Sequence, residues 1–431
     1  MNNSDTLLVI GNGFDLNCGL KSSFSNYIDD KYPKLLKMAR SISKINENSD
    51  LTFANKQLSS LTLENTNVFF YLLICQVSGY ENWNDVENSI LKIVNGRDNQ
   101  KSILELLHLY ILKKNTGRKE KLTFAKYSAD TNDFYTTIHI FSYLFVHIIN
   151  APEKLIVAKE KIGMEHLSNL FSKFITDFEL NFSDYLQNDL SNRNIVSQES
   201  ASYQTNSGTL IKNIVEIVDD QDHTIESMGL SVLNFNYTDP FQNVGYIVLA
   251  GFNRTLVREK IYSENVHGTI HNSQKPGIII GTDLLSMSTI DSDERTESNV
   301  DYKIFTTKTY KKMNMHFLLS NKDRNIIDFL PADNRLKRIV FYGHSLNRQD
   351  YSYFKAIFDN YDLYSSKVVI YYIYSIFDKS REAQIKSNNL NSLFNLLDSY
   401  GLEVFGNDLK SKGKNLLHKL LLQNRIKIRE L

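Results

Sequence analysis

Thr6–Leu7–Leu8–Val9–Ile10–Gly11–Asn12–Gly13–Phe14–Asp15 is the stretch on which the reading of this chain turns. The run from Leu7 to Ile10 is continuously apolar and stops at a glycine. A strand with one solvated face alternates apolar and polar residues, whereas a strand covered on both faces does not, so the run predicts an interior strand of a parallel sheet. Two glycines in three residues then predict a tight turn, and Ser22–Ser23 opens a helical pattern. Glycines between a first parallel strand and a helix let the backbone approach a pyrophosphate. The spacing is not G-x-G-x-x-G, because the third glycine is Gly19. Taken by itself, the turn is read first as a plain bend that needs positive φ at Gly11 or Gly13. Asp15 adds a carboxylate, which repels phosphate unless it binds a ribose hydroxyl, caps a helix or works on a sugar.

Beyond this unit the strand signal lapses for almost two hundred residues. Phe69–Val77, Ile103–Leu112 and Phe134–Ile149 read as buried helices. Leu167, Leu170, Phe171, Phe174, Phe178 and Phe182 recur at steps of three and four, the spacing of a long amphipathic helix. Gln187–Gly208, rich in Ser, Asn and Gln, reads as a loop. Strand-like runs return at Leu230–Phe235, Tyr246–Ala250, Glu264–His267, Gly277–Gly281, Arg338–Gly343, Val368–Tyr374 and Leu402–Phe405. Helical patterns separate the last three, which argues for βαβ units. The tail from Asn407 to Leu431, with seven Lys/Arg against two acids, reads as a solvated helix capping the sheet. The expected fold is α/β, a parallel Rossmann-like sheet with a large helical insertion after the first βα unit. Residues 1–29 and 226–431 form the discontinuous nucleotide-binding domain, and 30–225 the helical insertion.

Composition narrows the function classes. A chain of 431 residues buries enough surface to need no disulfide or metal staple. Its 49 basic and 49 acidic residues balance, so whole-molecule attraction to nucleic acid or anionic lipid is not implied. Cys18 and Cys75 cannot form a disulfide framework, and no Cys/His spacing suggests zinc. The longest apolar run, Val68–Cys75, has eight residues, against the roughly 18 of a membrane span. The N-terminus lacks a basic region and a signal-peptide core. The expected setting is the cytoplasm, away from membranes.

Further chemistry sits at expected strand ends. In Phe235–Asn236–Tyr237–Thr238–Asp239, Asn236 can orient a water or a ribose, while Thr238 or Asp239 caps the next helix, with Pro240 at its first position. In Val266–His267–Gly268, a histidine before a flexible glycine reads as a general acid or base, or as a structural residue. Phe341–Tyr342–Gly343–His344–Ser345–Leu346 again sets glycine and small polar groups after a strand, and Asp350 lies seven residues after Gly343. The segment lacks the second glycine of the G-x-S-x-G nucleophile elbow. Trp83–Asn84–Asp85–Val86–Glu87 reads as a helix start whose acids favour the dipole. Gly11, Asn12, Gly13, Phe14 and Asp15, with Gly343, His344 and Ser345, are the candidate nucleotide-binding residues.

In this order, the motifs from Gly11–Asp15 through Trp83–Glu87, Phe235–Asp239 and Val266–Gly268 to Tyr342–Leu346 resemble the AbiH family of bacteriophage abortive-infection proteins. They are also similar to a divergent SIR2-like (sirtuin-type) Rossmann core. That resemblance implies that Asn236 matches the catalytic asparagine and His267 the catalytic histidine. It implies further that Gly11, Gly13 and Ser345 line the dinucleotide, with Asp239 beside the ribose. Asp15 stands where such loops usually carry serine, and the four-cysteine zinc module is absent, which disfavours a deacylase. The implied activity is hydrolysis of the N-glycosidic bond of NAD or a related nucleotide, with no metal. The implied partners are a phage-encoded trigger protein and a second copy of the chain. Two rival classes are a non-catalytic nucleotide-binding sensor and a metal-dependent nuclease using Asp85, Glu87 and Asp15.

Overall fold

Burial of the central strands on both faces explains the sheet. In a computed structural model the described residues are 4–42, 72, 86, 87, 90, 91, 164–195, 203–219, 230–241, 246–249, 254–257, 261–270, 277–283, 306–318, 330–332, 334–405 and 416–431. Strand β1 (Thr6–Ile10) is buried along its whole length, as its unbroken apolar run requires. Six strands form one all-parallel sheet: β1, β2 (Leu230–Asn234), β5 (Ile261–Asn265), β6 (Arg338–Tyr342), β7 (Val369–Tyr374) and β8 (Ile426–Glu430). Their spatial order is β5-β2-β1-β6-β7-β8. Counting only these six strands in chain order, that is 3-2-1-4-5-6, the order of the doubly wound dinucleotide-binding fold. The α/β parallel architecture expected from the sequence is therefore the observed one. A separate antiparallel pair joins β3 (Tyr246–Leu249) to β4 (Arg254–Val257).

Alternate residues of each strand serve two cores. Leu7, Val9, Leu233, Phe235, Ile339, Phe341, Ile370 and Tyr372 face one layer. That layer is built by α7 (Tyr351–Asn360), α8 (Glu382–Phe405) and α9 (Leu416–Leu422), through Phe354, Phe358, Leu396, Leu397 and Leu420. Leu8, Ile10, Val232, Val340, Tyr342 and Ile373 face the other layer. There they meet Phe14 of α1 (Asn12–Asn17) and Leu210, Ile211 and Ile214 of α5 (Tyr203–Asp219).

The chain divides into two compact units. One comprises Met1–Ser22, Ser183–Ile278 and His316–Leu431 and contains the sheet. The other comprises Ser23–Phe182 and Ile279–Met315. In this second unit Ser23 caps α2 (Phe24–Lys31) by accepting from the Asn26 amide. Among its described residues Phe24, Tyr27, Phe178 and Phe182 form an aromatic cluster. Buried Glu179 accepts from the Ile280 amide and from Lys311 Nζ. Burial pushes the Glu179 carboxyl up from its ordinary value, and Lys311 opposes the shift. The unit also holds α3 (Pro33–Ile42) and, as far as Met315, α6 (Lys308–Leu318).

Several local expectations are corrected. The first helix is α1, which begins inside the glycine turn and precedes the Ser23-capped helix. The polar stretch read as a loop from Gln187 is helical to Ile195, the end of α4 (Met164–Ile195), and helical again from Tyr203. Leu402–Phe405 continues α8. Gly277–Gly281 forms no strand and contributes the single bridge Gly268↔Ile278. The basic tail is helical only at Leu416–Leu422 and then supplies β8. Asn424, at φ +54°, reverses the chain after α9, and buried Arg425 donates to the carbonyls of Val368 and Leu363. Ile426 and Ile428 then face the α7–α9 core, an alternation that proximity to a leucine-rich helix obscured. The helices expected between residues 69 and 149 lie outside the described residues apart from Leu72.

Candidate functional site

Ile10 is level with Asn234 and Tyr342, and Asn234 with Asn265. Four strands therefore end on one edge, and the loops starting at Gly11, Phe235, Val266 and Gly343 open together. Strand order reverses between β1 and β6, so these loops border the switch-point crevice where open α/β sheets bind ligands.

The two glycine loops touch through their backbones. Gly11 N–H donates to Tyr342 O at 3.1 Å, and Gly13 N–H to Gly343 O at 2.8 Å. A Cβ on Gly13 would lie 2.8 Å from Gly343 Cα, and one on Gly343 only 2.4 Å from the Phe14 nitrogen. Gly343 also holds φ at +66°. The glycines are thus required by the contact between loops. Phe14 N–H bonds Gly11 O, so three amides of the turn are engaged within the chain. Phe14 itself is a core residue, set edge-on to Tyr342. Asn12 is exposed and accepts from the Ser22 hydroxyl. Ser345 is exposed beside them.

Asp15 turns away from the mouth of the loop. It is 1 % exposed, its Oδ1 accepting from Tyr203 Oη and its Oδ2 from Thr238 Oγ1, each at 2.7 Å. The two hydroxyl oxygens are 3.0 Å apart. Burial raises the Asp15 pKa from 3.8 to about 6, against the lowering effect of its two hydroxyl donors.

The β2 loop is built by asparagines. Asn234 Nδ2 donates to Thr238 O at 2.7 Å, and its Oδ1 accepts from the Asn236 amide at 2.9 Å. From β5, Asn265 Nδ2 donates to Asn236 O and to Thr238 O. Asn236 is thereby fixed in its backbone, yet its side chain, 3 % exposed, finds no hydrogen-bond partner for Oδ1 or Nδ2 among the described residues. Asp239 Oδ1 accepts from the Phe241 amide, an Asx turn and not the start of a described helix.

Across the sheet, His267 Nε2 lies 3.0 Å from Asp350 Oδ1, and His344 Nε2 lies 3.5 Å from Asp350 Oδ2. Phe235 presents its edge or face to both imidazoles, with ring centroids 5.3 and 4.5 Å away. The turn after His267 is clamped. Gly268 has φ +77°, Thr269 N–H bonds Gly277 O, Ile270 N–H bonds Tyr237 O, and Gln187 Nε2 donates to Ile270 O.

The fold therefore joins His267 to His344, and Asp15 to Thr238, and it seats Gly11 and Gly13 against Gly343. Trp83, Asn84 and Asp85 lie outside the described residues, while Glu87 pairs with Lys308 Nζ at 2.8 Å. Among the described residues no group of three or more His, Cys, Asp or Glu is arranged to hold a metal ion. Also among them, no helix is long and apolar enough to cross a membrane. Sequence reading missed Tyr203, Asn234 and Asn265, and it noted Asp350 only by its spacing. The N-x-N pattern at the end of β2 was the available signal for Asn234; nothing local pointed to Tyr203.

A family model described as bacteriophage abortive infection AbiH matches residues 7–372. No curated protein and no solved structure matches the chain.

Proposed function

The chain belongs to the AbiH family of bacteriophage abortive-infection proteins, and from that premise we propose that it defends by binding NAD or a related nucleotide and hydrolysing its N-glycosidic bond. One observation carries the reading. The Asn236 amide is buried at the crevice edge with both polar atoms unpartnered among the described residues. Burying such a group unbonded costs about 1–3 kcal/mol, which a ligand supplying both a donor and an acceptor recovers. The ribose diol and an attacking water are such groups. The 3-2-1-4-5-6 strand order and the histidine on the neighbouring loop support the same reading.

In the proposed reaction Asn236 orients ribose and water. Water oxygen bonds to C1′, the C1′–N bond breaks, and its electron pair leaves on the nicotinamide nitrogen. His267 accepts the water proton. The products are ADP-ribose, nicotinamide and a proton. Asp239, half-buried beside Asn236, offers negative charge to the oxocarbenium-like transition state. The inward turn of Asp15 removes its carboxylate from the phosphate path. Because three amides of the Gly11–Phe14 turn are engaged, exposed Asn12 and Ser345 share phosphate contact with whatever amides remain. A phage-encoded trigger and self-association belong to this proposal as the means of keeping a toxic activity silent.

The test is nicotinamide release from NAD by purified protein, with Asn236→Ala and His267→Ala compared at equal folding by circular dichroism. Release by the wild type and its loss in both variants is expected. Undiminished release in both variants overturns the site. No release by the wild type, in buffer or in lysate of phage-infected cells, overturns the activity and leaves a binding module.

A further inference from the structure

We propose that Asp350 is a positioning residue that holds His267 as its Nε2–H tautomer, making Nδ1 the basic atom at this site; the catalytic part of this inference rests on the glycohydrolase reading.

The argument begins at His344. Leu346 N–H donates to His344 Nδ1 at 2.9 Å, so Nδ1 is the acceptor and the ring proton of neutral His344 sits on Nε2. That nitrogen points at Asp350 Oδ2. Leu346 itself adopts φ +51°, a left-handed conformation unfavourable for a residue with a Cβ. Strain of this kind persists only where surrounding contacts enforce it. Here Leu346 is buried in the α7–α9 core.

Ionised Asp350 is an acceptor only. Its Oδ1 lies at hydrogen-bond distance, 3.0 Å, from His267 Nε2, which must then carry a proton, while Oδ2 faces His344 Nε2 at 3.5 Å, an ion-pair distance. The neutral His267 ring is left with its lone pair on Nδ1, on the side away from Asp350. Phe235 and Tyr353 pack edge-on against the His267 ring, at 5.3 and 5.7 Å between centroids, and restrict its rotation. A water proton lost during attack on C1′ is therefore received at Nδ1, and Asp350 stabilises the imidazolium so formed without itself taking the proton.

Asp350→Asn tests this with little change of shape. Asparagine has one acceptor oxygen and one donor nitrogen, so it cannot turn a carboxylate oxygen toward each imidazole; with its oxygen on the His344 side, its nitrogen faces His267. The Leu346 amide holds His344 in place, and the introduced side-chain amide donates to His267 Nε2, driving the ring to its Nδ1–H form. The expected result is a fall in kcat for nicotinamide release of about 100-fold or more, with KM within about threefold. In parallel, ¹⁵N-histidine NMR of the full chain reads the tautomer directly, with His267 assigned by its loss in His267→Gln. An unprotonated Nδ1 in wild type and a protonated one in Asp350→Asn are expected. An active wild type whose His267 carries its proton on Nδ1, or an Asp350→Asn variant of unchanged kcat, overturns the positioning role. Absence of nicotinamide release from the wild type in both buffer and infected-cell lysate overturns the glycohydrolase reading, and with it the catalytic part of this inference.

Discussion

Two buried carboxylates at the same sheet edge are used in opposite ways. Asp15, on the α5 side, is held by two buried hydroxyls that also lie 3.0 Å from each other. Asp350, on the α7 side, lies between the imidazoles of His267 and His344. The first arrangement is a clamp between α1, the β2 loop and α5. In the proposed reaction the second handles the proton, and the loop that carries Asn236, whose amide is unpartnered among the described residues, also supplies Phe235, the ring packed against both histidines. Burial alone therefore does not mark a functional carboxylate; the partner's chemistry does.

The largest effects should fall on the histidine side and on activity. His267→Ala and Asn236→Ala should each lower nicotinamide release by about 100- to 10,000-fold, and protection against phage with it, while the far-ultraviolet circular dichroism is unchanged. Loss of folding in both would assign the histidine cluster to structure and dissolve the contrast.

Asp15→Asn should act on stability instead. The Asp15 pKa is raised to about 6 in the folded chain against 3.8 otherwise, so the folded state binds its proton more tightly. Wild-type stability then falls as pH rises from about 4 through 6 and is level above. Protonated Asp15 also closes a ring of three hydrogen bonds with Thr238 and Tyr203, whereas ionised Asp15 takes both hydroxyl protons and leaves the 3.0 Å contact without one. An asparagine amide supplies that missing donor permanently. Urea unfolding should show the variant equal to wild type near pH 4 and more stable at pH 8, by at most about 3 kcal/mol.

Tyr203→Phe removes one donor from the carboxylate. A loss of about 2 kcal/mol at pH 8 is expected, smaller near pH 5 where Asp15 is protonated, with nicotinamide release within about twofold of wild type. A large activity loss here would merge the two clusters into one site. The smallest change in stability should be Asp239→Ala, which opens an Asx turn at about 1 kcal/mol; Asp239→Ser, whose hydroxyl can bond the Phe241 amide, should restore the stability. A rate loss that survives this restoration would place the Asp239 charge beside the sugar.

How much of this was legible in the sequence depends on the range over which each feature is set. The parallel sheet could be read from Leu7–Ile10 because an unbroken apolar run and its glycine stop are local properties, dictated by burial on both faces. Asn236, His267 and the glycines were found because polar or flexible residues directly after such runs lie at a strand end. The strand at Ile426–Glu430 was missed because its alternation spans five residues beside a stronger helical signal. Leu402–Phe405 was misread because four apolar-rich residues fit either period. Tertiary structure alone decided the partners. Tyr203 meets Asp15 across 188 positions, and Asp350 meets His267 across 83. Such pairings carry no local periodicity, since they depend on which strands become neighbours and on loops brought level by register. For the same reason the sequence by itself named the glycines, and only the fold revealed that they accommodate each other's backbone, which local conformational preference cannot specify.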